Sequence, residues 1–162
     1  MRMKLGILSD SHGRLLALRA GLRLLEEHGA EAFIHCGDIG GIEAIEELAG
    51  RKAWFVWGNT DDAHPPWREH VIGLGLPWPD GPLDLRLGGK RIAVCHGHEP
   101  ECRRIIEAAE HDYLLYGHTH ERADERIGRM RMINPGALHR VAVKTVALLD
   151  TESDTLQYFE LS

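Results

Sequence analysis

Five short apolar runs, each followed at once by polar residues, mark the chain from its start to about residue 120. They occupy residues 4–8, 32–34, 53–56, 91–95 and 113–116. Runs of this length that end in glycine or polar residues are typical of strands buried on both faces of a sheet. We therefore expect five buried strands, and the alternating residues 83–87 predict a sixth.

Helical patterns separate the early strands. In residues 14–28, apolar side chains recur on one stripe at Leu15, Leu18, Leu22 and Leu25. Residues 41–49 and 99–110 show the same periodicity. Strands that alternate with helices indicate a layered α/β fold with parallel strands and right-handed crossovers.

The pattern changes after Gly117, where two strand hairpins are expected at residues 122–133 and 145–159. They predict a mixed sheet, or two packed sheets with flanking helices. The segment 73–82 is rich in Pro and Gly, which predicts an extended surface loop. It is not expected to be a linker between domains. With 162 residues and no internal repeat, the chain is expected to form one domain over residues 1–162.

Composition and charge narrow the class of partner. No apolar run approaches the roughly 18 residues that a membrane span requires, so no membrane partner is expected. The first strand begins almost at Met1, which leaves no room for a cleavable targeting segment and favours the cytoplasm. A formal net charge of -6 opposes binding to duplex nucleic acid and favours a small phosphoester substrate.

The cysteines indicate a reducing environment. Cys36, Cys95 and Cys102 are an odd set, and no two of them have C-x-x-C spacing. This usage is typical of small buried hydrophobic residues in a reducing compartment. Disulfide bonds are therefore not expected.

Each of the five apolar runs ends in side chains that can bind metal. The clusters are Asp10-Ser11-His12, Gly37-Asp38, Gly58-Asn59, His96-Gly97-His98 and Gly117-His118-Thr119-His120. In open α/β sheets, functional sites form beyond the carboxyl ends of the strands. We therefore expect these separate segments to meet in one crevice. The glycines are expected to permit close approach of the backbone to a ligand.

The spacing of these residues suits metal ligation. Residues two apart in an extended chain point to the same side, so Asp10 pairs with His12, and His118 pairs with His120. The donors are imidazole, carboxylate and amide groups without thiolates, which favours a catalytic ion over structural zinc. Seven donors are too many for one ion, but they suit two ions about 3.5–4 Å apart when one carboxylate bridges them. Asp38 is our candidate bridge.

The ordered motifs resemble those of the calcineurin-like metallophosphoesterase superfamily, over residues 7–136. The chain length and the tripeptide Asn134-Pro135-Gly136 are similar to its small bacterial and archaeal phosphodiesterase branch. The resemblance implies an α/β fold, a four-layer α/β/β/α sandwich of two mixed sheets flanked by helices. It also implies two divalent metal ions per chain, with Mn favoured and Ni, Fe, Zn or Co as alternatives, and a homodimer.

The resemblance further divides the seven ligands between the two ions. One ion is held by Asp10, His12, Asp38 and His120. The other ion is held by Asp38, Asn59, His96 and His118. Asp38 belongs to both sets and is implied to bridge the ions.

Hydrolysis of phosphoesters is the implied function. Metal coordination lowers the pKa of water from 15.7 to about 7, so a hydroxide that bridges the ions is expected to attack phosphorus in line. Two dications, two ionised aspartates and this hydroxide leave the centre with a charge of about +1, which suits an anionic phosphodiester. A phosphomonoesterase and a non-catalytic scaffold similar to the retromer subunit of this fold are the alternatives.

One position departs from the superfamily pattern. Members commonly have a histidine after Gly-Asn that protonates the leaving oxygen, and the small branch often has cysteine, but this chain has Thr60. A hydroxyl is too weak an acid for this role, and general acid catalysis contributes about 10²–10⁴-fold. Poor leaving groups are therefore expected to react slowly. His98 is the candidate replacement, as an acid or a phosphate contact, and the candidate catalytic residues are Asp38, Asn59 and His98.

Other polar residues have plainer interpretations. His35 lies in an apolar run and is expected to be a hydrogen-bonded core residue that supports Asp38. The arginines of the 122–131 hairpin are expected to form a solvated face. The N–H groups at Gly13 and Arg14 suit either anion binding or ordinary helix initiation. Surface or capping roles are expected for the remaining histidines, His28, His64, His70, His111 and His139.

Overall fold

The computed structural model describes residues 2–162 and contains two five-stranded sheets. The first sheet comprises β1 (Lys4–Leu8), β2 (Ala32–His35), β3 (Ala53–Phe55), β9 (Lys144–Asp150) and β10 (Thr155–Leu161). Its strand order is β10-β9-β1-β2-β3. The strands β1, β2 and β3 run parallel, and the hairpin of β9 and β10 joins β1 in antiparallel fashion.

The second sheet is also mixed. It comprises β4 (Leu83–Leu87), β5 (Lys90–Val94), β6 (Tyr113–Leu115), β7 (Arg122–Ile127) and β8 (Met130–Pro135). Its order is β4-β5-β6-β8-β7. The three central strands are parallel, and the two edge strands are antiparallel to their neighbours.

Four helices cover the sheets. They are α1 (Leu15–Glu27), α2 (Ile42–Glu46), α3 (Arg68–Gly73) and α4 (Pro100–Ala108). The apolar stripe of α1 is buried in one cluster with the outer-facing residues of the first sheet, such as Leu8 and Val146. The helix α4 buries Cys102 with Leu114 and Met132 of the second sheet.

A third apolar cluster lies between the two sheets. It joins Leu5 and Ile7 of β1 to Ile92 and Val94 of β5. Successive strand residues point to opposite faces, so β1 and β2 contribute to two cores at once. This requirement explains why the parallel strands are apolar almost throughout. The four-layer α/β/β/α sandwich is therefore confirmed.

The sequence pattern located most of these elements but missed two short ones. All six strand predictions and both hairpins are confirmed, with ends shifted by at most a few residues. The predicted helix 41–49 is shorter than expected, because only Ile42–Glu46 is regular α-helix. The helix α3 and the preceding 3₁₀ turn Pro65–Trp67 were not predicted. The following segment up to residue 82 is a loop, as expected.

The predicted solvated arginine face needs a correction at Arg131. This side chain is 11% exposed and donates to both carboxylate oxygens of Asp124, at 2.8 Å each. It also donates to Asp154 at 3.0 Å. Burial without such partners would be costly for a guanidinium, so the ion pairs explain its position.

Two tryptophans, Trp57 after β3 and Trp78 in the loop before β4, pack against the core of the first sheet. The rings of Trp57 and Trp78 meet edge to face with centroids 5.0 Å apart, and Trp57 Nε1 donates to Pro79 O at 3.0 Å. Trp78 is thus part of the packing around the first sheet. In the described part of the chain, no helix combines the length and the apolarity that a membrane crossing requires.

Candidate metal centre

The loops that follow β1, β2, β3, β5 and β6 converge at one end of the sandwich. The Asp10 N–H donates to Gly37 O at 3.0 Å, which joins the loops after β1 and β2. The Gly117 N–H donates to His96 O at 2.9 Å and joins the loops after β5 and β6. His96 Nδ1 also lies 2.7 Å from Cys36 O, and His118 Nδ1 lies 3.1 Å from Asn59 Oδ1, so all five ligand clusters meet in one cavity, as expected for strand ends at a common edge.

The backbone of this region is unusual. Left-handed conformations occur at five of the seven candidate ligands, with φ values between 45° and 71°. These residues are Asp10, His12, Asp38, His118 and His120. Such conformations cost about 1–3 kcal/mol each for residues other than glycine, and they concentrate at functional sites. Local strain therefore coincides with the predicted ligands.

Four of the candidate ligands form one group. The Oδ1 atom of Asp10 lies 3.2 Å from His120 Nε2 and 3.8 Å from His12 Nε2. The Oδ2 atom of Asp38 lies 3.6 Å from the same His12 nitrogen. One ligand atom from each of the four residues lies within 4.8 Å of the others, so the four residues could hold one metal ion.

The remaining candidates form a neighbouring group. His96 Nε2 lies 3.2 Å from Asp38 Oδ2 and 3.1 Å from Asn59 Oδ1. His118 Nδ1 lies 3.1 Å from the same Asn59 oxygen. Asp38 therefore borders both groups with one carboxylate oxygen.

The second carboxylate oxygen of Asp38 and that of Asp10 accept hydrogen bonds from the protein. Asp38 Oδ1 accepts from the Thr60 N–H at 2.9 Å. Asp10 Oδ2 accepts from Ser9 Oγ at 2.6 Å and from the His118 N–H at 3.1 Å. These bonds fix the carboxylates and direct their free oxygens into the cavity.

The free atoms satisfy a direct test of fit to a metal ion. Asp10 Oδ1 and His12 Nε2 are buried and have no hydrogen-bond partner within residues 2–162. Buried polar atoms without partners are rare, because their desolvation is not compensated. A cation between these two atoms would supply the missing interaction, so the donor set fits a divalent metal.

Two glycines provide the space for the carboxylates. A Cβ atom at Gly58 would lie 2.0 Å from Asp38 Oδ1, and one at Gly117 would lie 2.6 Å from Asp10 Oδ2. Real Cβ atoms do not approach oxygen so closely. The expected role of glycine in the Gly-Asn and Gly-His motifs therefore follows from the structure.

Charge in the cavity shifts two pKa values in opposite directions. Burial alone would raise the pKa of Asp38, but hydrogen bonds from His96 and Thr60 outweigh it and hold the pKa well below its usual range. Burial alone would lower the pKa of His96, but Asp38, Cys36 O and Asp10 outweigh it and raise that pKa. The cavity therefore favours positive charge, whether a proton or a metal ion.

The orientation of His96 is set by its surroundings. Its Nδ1 lies 2.7 Å from Cys36 O, so an Nδ1–H donated there leaves Nε2 free to face the cavity. Glu99 accepts from the N–H groups of His96 and Gly97, at 2.9 Å each. This carboxylate was not singled out from the sequence, although it stands three residues after a ligand.

Two further polar residues form hydrogen bonds with the backbone of the loops. Asp61 accepts from the N–H groups of Ile39 at 3.1 Å and Gly58 at 2.8 Å, and burial raises its pKa despite these bonds. Asn134 donates to Gly117 O at 3.0 Å. The sequence offered the Asn-Pro-Gly motif as a signal for Asn134, but it gave none for Asp61 beyond its place after Asn59.

His35 has the predicted core position and supports Asp38 only through neighbouring residues. It is fully buried, with Nε2 2.9 Å from Ser11 Oγ, and its Nδ1 accepts from the Gly37 N–H at 3.2 Å. Burial lowers its pKa to about 3, assisted by the nearby His96. Its hydrogen bonds thus support the loops on either side of Asp38 and do not reach Asp38 itself.

Two histidines border the cavity. The ring of His98 lies 5.5 Å from that of His96 and 6.2 Å from that of His118, and its side chain is 36% exposed. The ring of His139 lies 5.7 Å from that of His12. The sequence assigned His139 a surface or capping role, because no motif includes it. Its place beside a ligand was missed.

The cysteines require one correction. Cys95 and Cys102 form a disulfide that encloses the loop carrying His96 and His98, so the expectation of free cysteines holds only for Cys36. Six residues separate the paired cysteines, and no common motif has this spacing.

The start of the first helix decides between two alternatives. The N–H groups of Gly13 and Arg14 donate to Ile39 O and Ser11 O, at 2.9 Å each, so they do not assist an anion.

Comparison with known proteins agrees with this arrangement. The family model of the calcineurin-like phosphoesterase superfamily domain matches residues 3–154. The chain belongs to this superfamily. Phosphodiesterase MJ0936 of Methanocaldococcus jannaschii is 29% identical over 156 residues, which cover 93% of this chain and 94% of that protein. Phosphodiesterase YfcE of Escherichia coli is 28% identical over 84% of this chain and 79% of its own.

Solved structures of the superfamily share the fold. A structure described as a novel archaeal phosphodiesterase superposes with a TM-score of 0.87 at 27% identity, covering 98% of this chain and 100% of that one. Vps29 of Entamoeba histolytica complexed with zinc gives a TM-score of 0.65 at 17% identity, with 98% of both chains covered. The second likeness concerns the fold alone. The superfamily implies bound divalent metals, and the sequence relatives are small phosphodiesterases of archaea and bacteria.

Proposed function

We propose that the protein is a phosphodiesterase that acts with two divalent cations bound in a single domain, residues 1–162. The first ion would be held by Asp10, His12, Asp38 and His120. The second would be held by Asp38, Asn59, His96 and His118. The observation that supports this most directly is Asp38 Oδ2, which lies 3.6 Å from His12 Nε2 and 3.2 Å from His96 Nε2.

The protein residues prepare the site for this chemistry. Thr60 and Ser9 hold one oxygen of each carboxylate, so the other oxygen needs little reorientation when a cation binds. When bound, two such ions activate water at neutral pH and neutralise the charge of the phosphoryl group. No side chain is required as a covalent nucleophile. The nitrogen and oxygen donors suit Mn²⁺ first, with Ni, Fe, Zn or Co as alternatives.

The substrate that fits best is a small phosphodiester with a good leaving group. Thr60 contributes its N–H to Asp38, and its hydroxyl is a poor proton donor at neutral pH. His98 is exposed near His96 and His118, and we propose that it contacts the phosphate or the leaving oxygen. An activated aryl ester does not depend on such protonation.

A non-catalytic scaffold is the second candidate, because Vps29 shares the fold. The strained backbone of the ligands and the uncompensated atoms of Asp10 and His12 favour the enzyme. A scaffold that binds no metal would gain nothing from these costs, and a scaffold that binds metal, as Vps29 complexed with zinc does, is separated from the enzyme by hydrolysis alone. A phosphomonoesterase would use the same ligands, so it is separated from a diesterase by substrate alone.

Hydrolysis of two p-nitrophenyl substrates tests the proposal. We expect the Mn²⁺-loaded protein to hydrolyse bis(p-nitrophenyl) phosphate faster than p-nitrophenyl phosphate, and to lose activity on chelation. The substitution His118→Ala should reduce diester hydrolysis by about a hundredfold or more. His70→Ala is the matched control, since His70 is exposed on α3 and, within residues 2–162, pairs with Glu46 alone. Preference for the monoester would favour a phosphomonoesterase, and no hydrolysis of either would favour the scaffold.

A further inference from the structure

One carboxylate and two sulfur atoms lie together at the start of α4. Cys95 follows β5, Glu99 immediately precedes α4, and Cys102 lies in the first turn of this helix. One carboxylate oxygen of Glu99 and both sulfur atoms lie within 4.8 Å of one another. We refer to Cys95, Glu99 and Cys102 as the sulfur site. None of these three side chains is a candidate ligand of the metal centre.

The sulfur site is buried in apolar surroundings. Cys95 is fully buried, Cys102 is 4% exposed, and both pack in one cluster with Leu114. The side chain of Glu99 is only 12% exposed, and within residues 2–162 its sole basic partner is His98, whose Nδ1 lies 3.7 Å away. Burial of a carboxylate is costly unless donors or a cation compensate it. The surroundings of Glu99 therefore favour an additional positive charge.

Two backbone groups fix the orientation of the Glu99 carboxylate. Its Oε1 accepts from the His96 N–H and its Oε2 accepts from the Gly97 N–H, at 2.9 Å each. An ionised carboxylate has about four lone-pair positions, so both oxygens retain the capacity for a further partner. Carboxylates that ligate metals in proteins are held by hydrogen bonds of this kind. Glu99 is thus a preorganised oxygen donor beside the two sulfur atoms.

The two sulfur atoms have two chemical states. In the structure they form a disulfide. In a reducing environment, a dithiol donor transfers two electrons and two protons to this bond and itself becomes a disulfide, which leaves two thiols in the protein. In a tetrahedral site with metal–sulfur bonds of about 2.3 Å, two sulfur ligands lie about 3.8 Å apart. The Cα atoms of Cys95 and Cys102 are 5.9 Å apart, which permits this separation.

We propose that the reduced protein binds a thiophilic divalent cation of the Zn²⁺ class at the sulfur site, in addition to the ions of the metal centre. The cation displaces the two thiol protons to solvent, and the two thiolates and Glu99 supply three ligands, with water in the fourth position. Thiolates select this class of cation, whereas the metal centre offers no thiolate. The disulfide and the bound cation are then alternative states of one cysteine pair. The inference does not depend on phosphodiesterase activity.

Titration with Co²⁺ distinguishes this ion from those of the metal centre. Thiolate ligands give an intense sulfur-to-Co²⁺ charge-transfer absorption in the near ultraviolet, which imidazole, carboxylate and amide ligands do not give. The wild-type protein is titrated in its oxidised form and after reduction by a phosphine, which takes an oxygen atom from water while the disulfide gains two hydrogen atoms. We expect the reduced protein to bind one more Co²⁺ per chain than the oxidised protein and to develop this absorption. Equal binding by both forms, or a reduced protein without the absorption, would overturn the inference.

Substitutions assign the absorption to the sulfur site. Cys102→Ser should abolish it, and Glu99→Gln should weaken Co²⁺ binding at this site by about tenfold or more. Cys36→Ala is the matched control and should retain the absorption, because Cys36 is a buried free cysteine in the core between the sheets. His118→Ala should also retain it, since His118 belongs to the metal centre alone. Absorption that persists in Cys102→Ser or is lost in Cys36→Ala, or an affinity that Glu99→Gln leaves unchanged, would contradict the proposed ligands.

Discussion

The carboxylate of Asp38 lies 3.2 Å from the imidazole of His96, although the two residues follow strands of different sheets. The same Asp38 oxygen lies 3.6 Å from His12 Nε2. A single carboxylate oxygen therefore separates two groups of potential ligands. A bridged pair of ions requires this arrangement, whereas two independent sites would each need their own carboxylate.

The space at Gly58 gives a first prediction. Gly58→Ala would place a Cβ 2.0 Å from Asp38 Oδ1 and displace the carboxylate. We expect metal affinity to fall by about 10–100-fold, which is typical when the support of a ligand is lost. Calorimetric titration with Mn²⁺ measures the change. Gly73→Ala is the matched control, because a Cβ at this exposed position in α3 meets nothing within 4 Å. Equal affinities of the two variants would contradict the prediction.

Thr60 gives a prediction about leaving groups. Thr60→His supplies a proton donor beside Asp38, so alkyl diesters should gain by up to about 10²–10⁴-fold in kcat, and activated aryl diesters should gain little. The measurement is kcat for a series of phosphodiesters with increasing leaving-group pKa. If wild-type rates do not depend on that pKa, the missing acid is supplied elsewhere, and Thr60 does not limit the reaction.

The carboxyl of Asp154 gives a pH-dependent prediction for stability. Burial alone would raise its pKa, but hydrogen bonds from Tyr113, Arg126 and Arg131 outweigh it and lower the pKa to about 2. The unfolded value is about 3.9, so the folded state is stabilised above that pH, and the stabilisation is lost as the pH falls towards 2. Asp154→Asn should therefore lower the free energy of unfolding by about 1 kcal/mol at pH 7, and by much less at pH 2.

Chemical denaturation at several pH values provides the measurement for Asp154. Asparagine tolerates the left-handed backbone of this position, with φ of 56°, so the substitution mainly removes charge. Glu152→Gln in the same hairpin turn is the control, because its carboxylate forms no ion pair within the described residues. A loss at Asp154 that is independent of pH would show that charge is not the cause.

The disulfide of Cys95 and Cys102 predicts a dependence of stability on redox conditions. It closes a short loop, for which the constraint on the unfolded chain contributes about 2–3 kcal/mol. A dithiol reductant should therefore lower the midpoint of thermal unfolding of the wild-type protein. The Cys102→Ser variant should unfold at the lower midpoint with or without reductant. Equal midpoints of the reduced and oxidised wild-type protein would contradict this prediction.

Sequence alone predicted those parts of the site that depend on local pattern. The apolar runs fixed the strands, because burial on both faces leaves few polar positions. The ligand clusters Asp10-Ser11-His12 and Gly117-His118-Thr119-His120 stand directly at strand ends, so the topology was enough to bring them together. Their left-handed backbone was not predictable, since no glycine marks those ligand positions.

The missed features depend on contacts between distant segments. His139 reaches His12 because the Leu138 N–H is bonded to the loop after β1, a contact that no local motif encodes. The disulfide forms because the chain turns back after Cys95, where Glu99 accepts hydrogen bonds from the N–H groups of His96 and Gly97. The short α3 owes its place to packing of Val71 in the first-sheet core rather than to a long periodic pattern.

The stoichiometry of metal binding tests the central claim most directly. Mn²⁺ bound per chain is measured by elemental analysis after equilibrium dialysis, for the wild-type protein and for Asp38→Ala, together with hydrolysis of bis(p-nitrophenyl) phosphate. We expect two ions per wild-type chain, fewer than two in the variant, and hydrolysis that disappears with the ions. One ion per active wild-type chain, or an Asp38→Ala variant that retains two ions and full activity, would contradict a centre bridged by Asp38.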